Sequence, residues 1–172
     1  MLFRSTDVIK NLRSYIKNES GEAWKKIRLN ENISSVLNIF GFDLLQNYQI
    51  NVSIDETLMI EGSEIKLFQL WSNLIKNAME ALKEQEDKKI NIFSVTKDNV
   101  VMVCFENNGP VIPSKDLDNI FKIFYSTKEK DGGSGLGLSI VKRIVREHGA
   151  TIEVTSGPGK TNFNISFPLV TN

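Results

Sequence analysis

The sequence predicts an α+β protein, a two-layer sandwich in which helices cover one face of a β-sheet. Apolar residues recur at helical spacing in several segments and alternate with polar residues in several shorter ones. The length of 172 residues suits one domain with a sizeable core and is too short for two comfortable domains. The order of the segments, helical first, then mixed, then a closing hairpin, favours both kinds of layer within that domain.

The composition excludes several classes of function. Lys plus Arg and Asp plus Glu both number 21, so the formal net charge is zero and the chain lacks the basic surface typical of nucleic-acid binding. The single cysteine, Cys104, excludes an internal disulfide framework, and the single histidine, His148, leaves little for zinc. No apolar run approaches the roughly 18 residues of a membrane span. We therefore expect a cytoplasmic chain that contacts neither nucleic acid nor membrane.

In the first half of the chain, the apolar spacing predicts three helices and three short strands. A helical stripe over residues 4–18 indicates either a linker within residues 1–22 or a terminal helix lying on the domain formed by residues 23–172. Asn30 is a plausible N-cap for the second helix, which runs to about residue 46. The third helix, from Ser63 to Leu82, has the most regular apolar stripe. The strands are predicted at 26–29, 50–54 and 58–61.

The next part of the chain predicts a hairpin followed by a long loop. Strands at 89–95 and 100–106 flank the turn sequence Lys97–Asn99. Residues 107–135 are rich in Asn, Gly, Pro and Lys, and we expect one short helix near residues 116–123. Loops of this length in compact domains are usually functional or disordered.

The chain ends in a predicted helix and a second hairpin. The helix runs from Leu136 to His148 and is ended by Gly149. Strands at 151–156 and 163–167 are joined through the segment Gly157–Thr161, which looks like the end of a phosphate-binding P-loop. That motif needs glycine at position 154, where this chain has valine, and a helix after it. The segment is therefore predicted to be a turn.

Two asparagines on the third helix are candidate ligands. Asn73 and Asn77 lie one turn apart, at the edge of the apolar stripe. Each alone is most often a solvated surface residue, but the pair suits a shared ligand such as hydrated Mg²⁺ with phosphates, because amide oxygens are hard donors.

Two glycine-containing segments follow. In Asn107–Pro110, directly after a strand, the asparagine could bind a ligand and Gly109 could let a flat ligand approach the backbone; otherwise this is a polar turn. The cluster Gly132–Gly137 opens a helix, where backbone N–H groups favour an anion. Its spacing does not match a dinucleotide-binding fingerprint.

Taken in order, these segments resemble the motifs of bacterial sensor histidine kinases over about residues 26–168. The resemblance is to the ATP-binding catalytic domain, a Bergerat-type sandwich shared with DNA gyrase and the Hsp90 chaperone. It implies a mixed sheet of about five strands with helices on one face. The matching segments are Asn73–Ala78 (N box), Asn107–Pro113 (first glycine box), Phe121–Lys128 (F box), Gly133–Ile140 (second glycine box) and Lys160–Phe163 (last short motif).

The resemblance implies that the chain binds Mg-ATP and transfers the γ-phosphate to a histidine on a separate domain. It implies that Asn77 coordinates Mg²⁺ and that Asn107 contacts the adenine amino group. It also implies that Asn73 and Lys128 take part in the catalytic step. Asn73 cannot accept a proton as the glutamate of related ATPases does, so transfer is favoured over hydrolysis. A lid would span residues 113–134. The other implied nucleotide contacts are Ala81, Gly109, Ile112, Phe121, Phe124, Gly133, Gly135, Leu136, Gly137, Leu138 and Thr161.

The resemblance also implies partners. His148 follows the second glycine box instead of preceding the domain, so the acceptor histidine would belong to a dimerisation domain whose tail is formed by residues 1–22. A response regulator would act downstream, and the chain would be the cytoplasmic part of a larger kinase.

Three departures from the family pattern leave alternatives open. Asn107 stands where an aspartate usually contacts adenine, and Val111 and Lys160 replace glycines, so that both would crowd the base. One alternative is therefore a degenerate regulatory or docking module that binds ATP weakly or not at all. Another is a stand-alone Ser/Thr kinase of the anti-sigma type, which shares the fold.

Overall fold

The computed structural model describes residues 24–125 and 135–170, and within them only the backbone of residues 42–45. The predicted helix at 4–18 and the linker segment 1–22 lie outside the described residues, as do Lys128 and Gly133.

The described residues form seven strands and four helices. The strands are β1 (Lys25–Arg28), β2 (Gln49–Ser53), β3 (Met59–Gly62), β4 (Lys89–Lys97), β5 (Val100–Asn107), β6 (Thr151–Gly157) and β7 (Lys160–Pro168). The helices are α1 (Leu29–Asn47, with a non-helical kink at Gly41), α2 (Glu64–Leu82), α3 (Ser114–Leu117) and α4 (Gly137–Glu147).

Five strands form one mixed sheet in the order β2-β4-β5-β7-β6. The β2–β4 pair is parallel and the other pairs are antiparallel. Strands β1 and β3 form a separate antiparallel pair. The β4–β5 turn has positive φ at Asp98 and Asn99, the conformation of a tight type I′ hairpin. The predicted α+β fold with a mixed five-stranded sheet is thus confirmed.

The helices cover one face of this sheet because its strands alternate. On β7, Thr161, Phe163, Ile165 and Phe167 are all buried, while the residues between them are partly exposed. Trp71 of α2 is fully buried and stacks on Phe105 of β5, with 5.4 Å between the ring centroids. Helix α2 therefore lies across the middle of the sheet. The opposite side of the sheet is called the outer face below.

The short helix of the long loop differs from its prediction. It spans Ser114–Leu117 instead of residues 116–123 and begins after Pro113. The side chain of Asp116 is buried and accepts a 2.6 Å hydrogen bond from the Tyr125 hydroxyl. This bond raises the pKa of Tyr125, because ionising the phenol would break it. A side-chain hydrogen bond between residues nine positions apart produces no periodic spacing of apolar residues. The sequence pattern therefore could not indicate where this helix ends.

Candidate functional site

One face of α2 carries three of the predicted site residues in a row. Asn73, Asn77 and Ala81 follow one another at four-residue spacing, so their side chains lie on one side of the helix along about 12 Å. All three are half-buried. The core side of the same helix, from Leu67 to Leu82, holds it against the sheet. The candidate site therefore lies on a rigid element.

At the Ala81 end of this face, β5 terminates in Asn107. Its position in the sheet is opposite Thr161 of β7, and its side chain is only 4% exposed. A Cβ atom placed on Gly109 would lie 2.7 Å from Asn107 Nδ2 and 3.2 Å from Ala81 Cβ. A side chain at position 109 would thus press on the amide. Ala81, Asn107, Gly109 and Thr161 form what we call the strand end of the site.

The amide of Asn107 is buried without a partner. Within the described residues its Nδ2 has no hydrogen-bond acceptor, and no other bond holds the side chain. A buried donor without an acceptor is destabilising unless a ligand supplies one. The strand end is therefore suited to a ligand that offers a hydrogen-bond acceptor to this amide.

Ser156 supports the strand end, and the sequence interpretation missed it. Its Oγ accepts from the Ile112 backbone N–H at 2.9 Å and lies 2.7 Å from Thr161 Oγ1. Ile112 and Thr161 were both implied contacts, and Ser156 joins them. The available signal was the β6–β7 hairpin register, which places Ser156 opposite Thr161.

At the other end of the face, Asn73 meets the start of α4. Asn73 Nδ2 donates to the Gln69 carbonyl at 2.9 Å, which turns Oδ1 the other way. A Cβ atom on Gly137 would lie 3.5 Å from that oxygen. No side chain among the described residues caps the N-terminus of α4, so its first-turn N–H groups can bind an anion. Asn73, Asn77, Gly135 and Gly137 form what we call the helix end of the site.

The donor set at the helix end fits a magnesium ion shared with phosphates. Asn77 sits midway along the face, and nothing in the described parts of the chain hydrogen-bonds its amide. Mg²⁺ is usually held by one or two hard oxygen ligands of the protein, together with phosphate oxygens and water. Asn77 can supply one such oxygen.

Gly135 determines the path of the backbone just before α4. It has a φ of 64°, and a Cβ atom there would lie 2.5 Å from the Phe124 carbonyl carbon. The Phe124 N–H donates to the Gly135 carbonyl at 3.0 Å, and Phe124 also has a positive φ. After Gly135, Leu136 is buried and Leu138 half-buried. The two chain segments are thus joined backbone to backbone beside the site.

The two phenylalanines of the predicted site have different surroundings. Phe121 packs partly against the core, and the Lys142 ammonium lies 5.5 Å from the centre of its ring. Phe124 is 62% exposed. Phe121 thus lies beside α4, and Phe124 lies beside Gly135 at the helix end.

The structure places Lys160 away from the strand end, which corrects the expectation that it crowds the base. Its ammonium pairs at 2.6 Å with Glu106 on the outer face of the sheet, because neighbours of Thr161 and Asn107 point the opposite way. This hydrogen bond holds the pKa of Glu106 below its usual value. Val111, the other replaced glycine, is 47% exposed.

Two further polar residues are structural. Asn108 joins the ends of two strands: its Nδ2 donates to the Asp87 carbonyl and its Oδ1 accepts from the Lys89 N–H, both at 2.8 Å. His148 is 4% exposed; Nε2 accepts from the Ser63 N–H at 3.2 Å, and Nδ1 lies 2.8 Å from the Ile144 carbonyl. Both ring nitrogens of the only histidine are therefore engaged with the backbone.

Comparison with known families shows which family the chain is similar to. A family model described as histidine kinase-, DNA gyrase B-, and HSP90-like ATPase matches residues 62–171. Sporulation kinase C of Bacillus subtilis (strain 168) is 37% identical over 150 residues, which cover 85% of this chain and 34% of the relative. The sensory histidine kinase/phosphatase NtrB of Rhizobium leguminosarum bv. phaseoli is 31% identical over 160 residues, covering 82% and 41%. The chain thus spans less than half the length of these curated relatives.

Solved structures give the same result. The nucleotide-free catalytic domain of histidine kinase ThkA superposes with a TM-score of 0.76 at 31% identity, covering 86% of this chain and 96% of that domain. ThkA in complex with the response regulator TrrA gives a TM-score of 0.80 at 30% identity, covering 98% of this chain and 48% of that one. Within the described residues, no helix has the length and apolarity required to cross a membrane.

Proposed function

This chain belongs to the family of histidine kinase-, DNA gyrase B- and HSP90-like ATPases, as the catalytic ATPase domain of a sensor histidine kinase, and we propose that it binds Mg-ATP along α2. The proposal depends on one observation. The face formed by Asn73, Asn77 and Ala81 runs from the buried Asn107 amide to the N-terminus of α4. Among the described residues, the Asn107 Nδ2 has no acceptor and no side chain caps that N-terminus. A nucleotide has the complementary order, with a polar flat base at one end and anionic phosphates at the other.

In this proposal each end of the site has a distinct task. Asn107 and Thr161 hydrogen-bond the base, and the absence of a side chain at Gly109 keeps the Asn107 amide in place beside Ala81. The N–H groups that open α4 bind phosphate oxygens, and Asn77 with those phosphates holds Mg²⁺. When bound there, Mg²⁺ would supply positive charge that offsets the charge of the phosphates held by Asn77 and the α4 N–H groups. Asn73 is a positioning residue, because an amide has no basic oxygen to take a proton from water. Lys128 and Gly133 are proposed phosphate contacts from outside the described residues.

We further propose that the γ-phosphate passes to a histidine on a separate phosphoacceptor domain. The chain's own histidine does not suit this role, since His148 is buried and both of its ring nitrogens contact backbone groups. Residues 1–22 are proposed as the tail of the dimerisation helices. A response regulator is proposed as the downstream partner, supported by the solved complex of the similar kinase ThkA with TrrA.

Direct titration tests nucleotide binding. Isothermal calorimetry of the chain with ATP should give saturable binding that weakens when Mg²⁺ is removed with chelator. Absence of binding at millimolar ATP and Mg²⁺ would instead favour the degenerate docking module.

A labelling experiment tests the acceptor. Incubated alone with γ-labelled ATP, the chain should acquire no acid-labile phosphate. With a sensor-kinase dimerisation domain supplied in trans, label should appear on a histidine. Acid-labile label on the chain alone would contradict the proposal, and acid-stable label on a serine of a partner would favour the Ser/Thr kinase alternative.

A further inference from the structure

Asn107 differs chemically from the acidic residue that the family pattern places there. A carboxylate only accepts hydrogen bonds, whereas a carboxamide offers an accepting oxygen and a donating nitrogen side by side. In this chain that amide is 4% exposed and faces the interior at the end of β5. It is therefore the group that a bound base would meet.

Nothing in the described parts of the structure fixes which way the amide is turned. Its Nδ2 is buried without an acceptor, and no other hydrogen bond holds the side chain. Its polar neighbour across the sheet, Thr161, has a hydroxyl that can both donate and accept. Rotating the amide by half a turn exchanges its donor and acceptor without breaking any protein bond.

Purines present two opposite patterns at the edge that includes position 6. Adenine donates from its 6-amino group and accepts at N1, whereas a 6-oxopurine accepts at O6 and donates from N1. In one orientation a carboxamide pairs with the first pattern, and after half a turn it pairs with the second. A carboxylate, having no donor, cannot pair with O6.

We propose that Asn107 allows the strand end to bind 6-oxopurine nucleotides about as well as adenine nucleotides. This inference depends on the proposed function, because it concerns the base of the same nucleotide. Asn107 accepts either an amino group or an oxo group at position 6 of the purine, so the site discriminates little between the two bases. The phosphate contacts are the same for both nucleotides.

Calorimetry with the Mg complexes of ADP and IDP tests the inference on the full 172-residue chain. We expect the dissociation constants for ADP and IDP to lie within about tenfold of each other. A bidentate hydrogen-bonded pair that accepted only one of the two bases would separate these constants by roughly ten- to a hundredfold. Purine riboside diphosphate, which has hydrogen at position 6, should bind more weakly than both.

An Asn107→Asp variant should restore selectivity by lowering the affinity for IDP at least about tenfold relative to ADP. Asn38→Asp, which adds the same charge at an exposed position of α1, should leave the ratio unchanged. If Asn107→Asp does not fold, the three ligands on the unaltered chain decide the question. Binding of ADP with IDP more than tenfold weaker would overturn this inference alone. Failure of every diphosphate to bind would overturn the proposed function and this inference with it.

Discussion

The strand end and the helix end of the site are built in different ways. At the strand end, four residues come from α2, β5, the segment after β5 and β7, and the sheet register together with the Ser156 bond fixes their positions. At the helix end, the Gly135 backbone contacts that of Phe124 and Gly137 lies beside the Asn73 side chain, while no hydrogen bond within the described residues holds the Asn77 amide. The strand end is thus preformed and mostly buried, whereas the residues of the helix end are half-buried.

This difference indicates how binding energy is divided. A preformed and buried set of residues recognises shape and hydrogen-bond pattern, so small added atoms there should reduce affinity without unfolding the protein. The helix end combines a backbone crossing with half-buried ligand groups. Changes to that crossing should affect stability, and changes to the ligand groups should affect only the metal and the phosphates.

The largest expected effect is the loss of stability in Gly135→Ala. The new Cβ would lie 2.5 Å from the Phe124 carbonyl carbon, which is backbone and cannot move aside easily, at a φ of 64°. We expect the free energy of unfolding to fall by about 2–4 kcal/mol. Gly159→Ala is the matched control, because Gly159 has a φ of 66° with no atom within 4 Å of the added Cβ. Its loss should be about 1 kcal/mol from backbone strain alone. Equal losses in urea denaturation would show that the contact with Phe124 does not matter.

The second effect concerns the strand end. Gly109→Ala places a Cβ 2.7 Å from Asn107 Nδ2, the end of a side chain that can turn away, so the protein should fold. Because the displaced amide no longer meets the base, the affinity for Mg-ADP should fall by about ten- to a hundredfold. Gly157→Ala, with open space around the added atom, should bind like the unaltered chain. Unchanged affinity in Gly109→Ala would show that the base does not bind at the strand end.

The third effect isolates Asn77. Replacement by Ala should remove most of the Mg²⁺ dependence of nucleotide binding, because the amide is the proposed metal ligand. The free energy of unfolding should change by less than about 1 kcal/mol, since no bond within the described residues is lost. Lys76→Ala, an exposed change on the same helix, controls for helix propensity. The measurements are affinity with and without Mg²⁺ and the melting temperature. A large drop in melting temperature would mark Asn77 as structural.

Sequence patterns predicted the fold because the fold depends on periodic burial. The apolar stripe from Leu67 to Leu82 and the alternation along β7 are local patterns, and each predicted the element that the structure shows. The same alternation could have shown that Lys160, next to the inward-facing Thr161, points to the outer face. The expectation that Lys160 crowds the base was wrong because it considered adjacency along the chain and not the side of the sheet.

Other features depend on contacts between distant residues and left no local signal. Asn107 and Asn108 are identical neighbours in the sequence, yet one is an unpartnered amide at the site and the other joins β4 to β5. Their roles differ because strand geometry turns adjacent side chains to different surroundings. The hydrogen bond between Ser63 and His148 also left no local signal, because the two residues are 85 positions apart. It joins the start of α2 to the end of α4.

The smallest expected effect tests whether the outer face is independent of the strand end. Lys160→Ala should leave the affinity for Mg-ADP unchanged, because the Lys160 ammonium lies on the outer face with Glu106. The free energy of unfolding should fall by at most about 1 kcal/mol, since Lys160 is 61% exposed and exposed pairs contribute little.

The pH dependence of that loss identifies its origin. The folded-state pKa of Glu106 is lowered by Lys160, so the pair's contribution is present above the carboxyl's unfolded pKa and is lost as the pH falls through the folded value. The difference between the unaltered chain and Lys160→Ala should therefore be measurable by urea denaturation at pH 7 and vanish in acid. A difference that persists in acid would mean that Lys160 acts through its hairpin backbone, and a change in ADP affinity would place its side chain at the nucleotide after all.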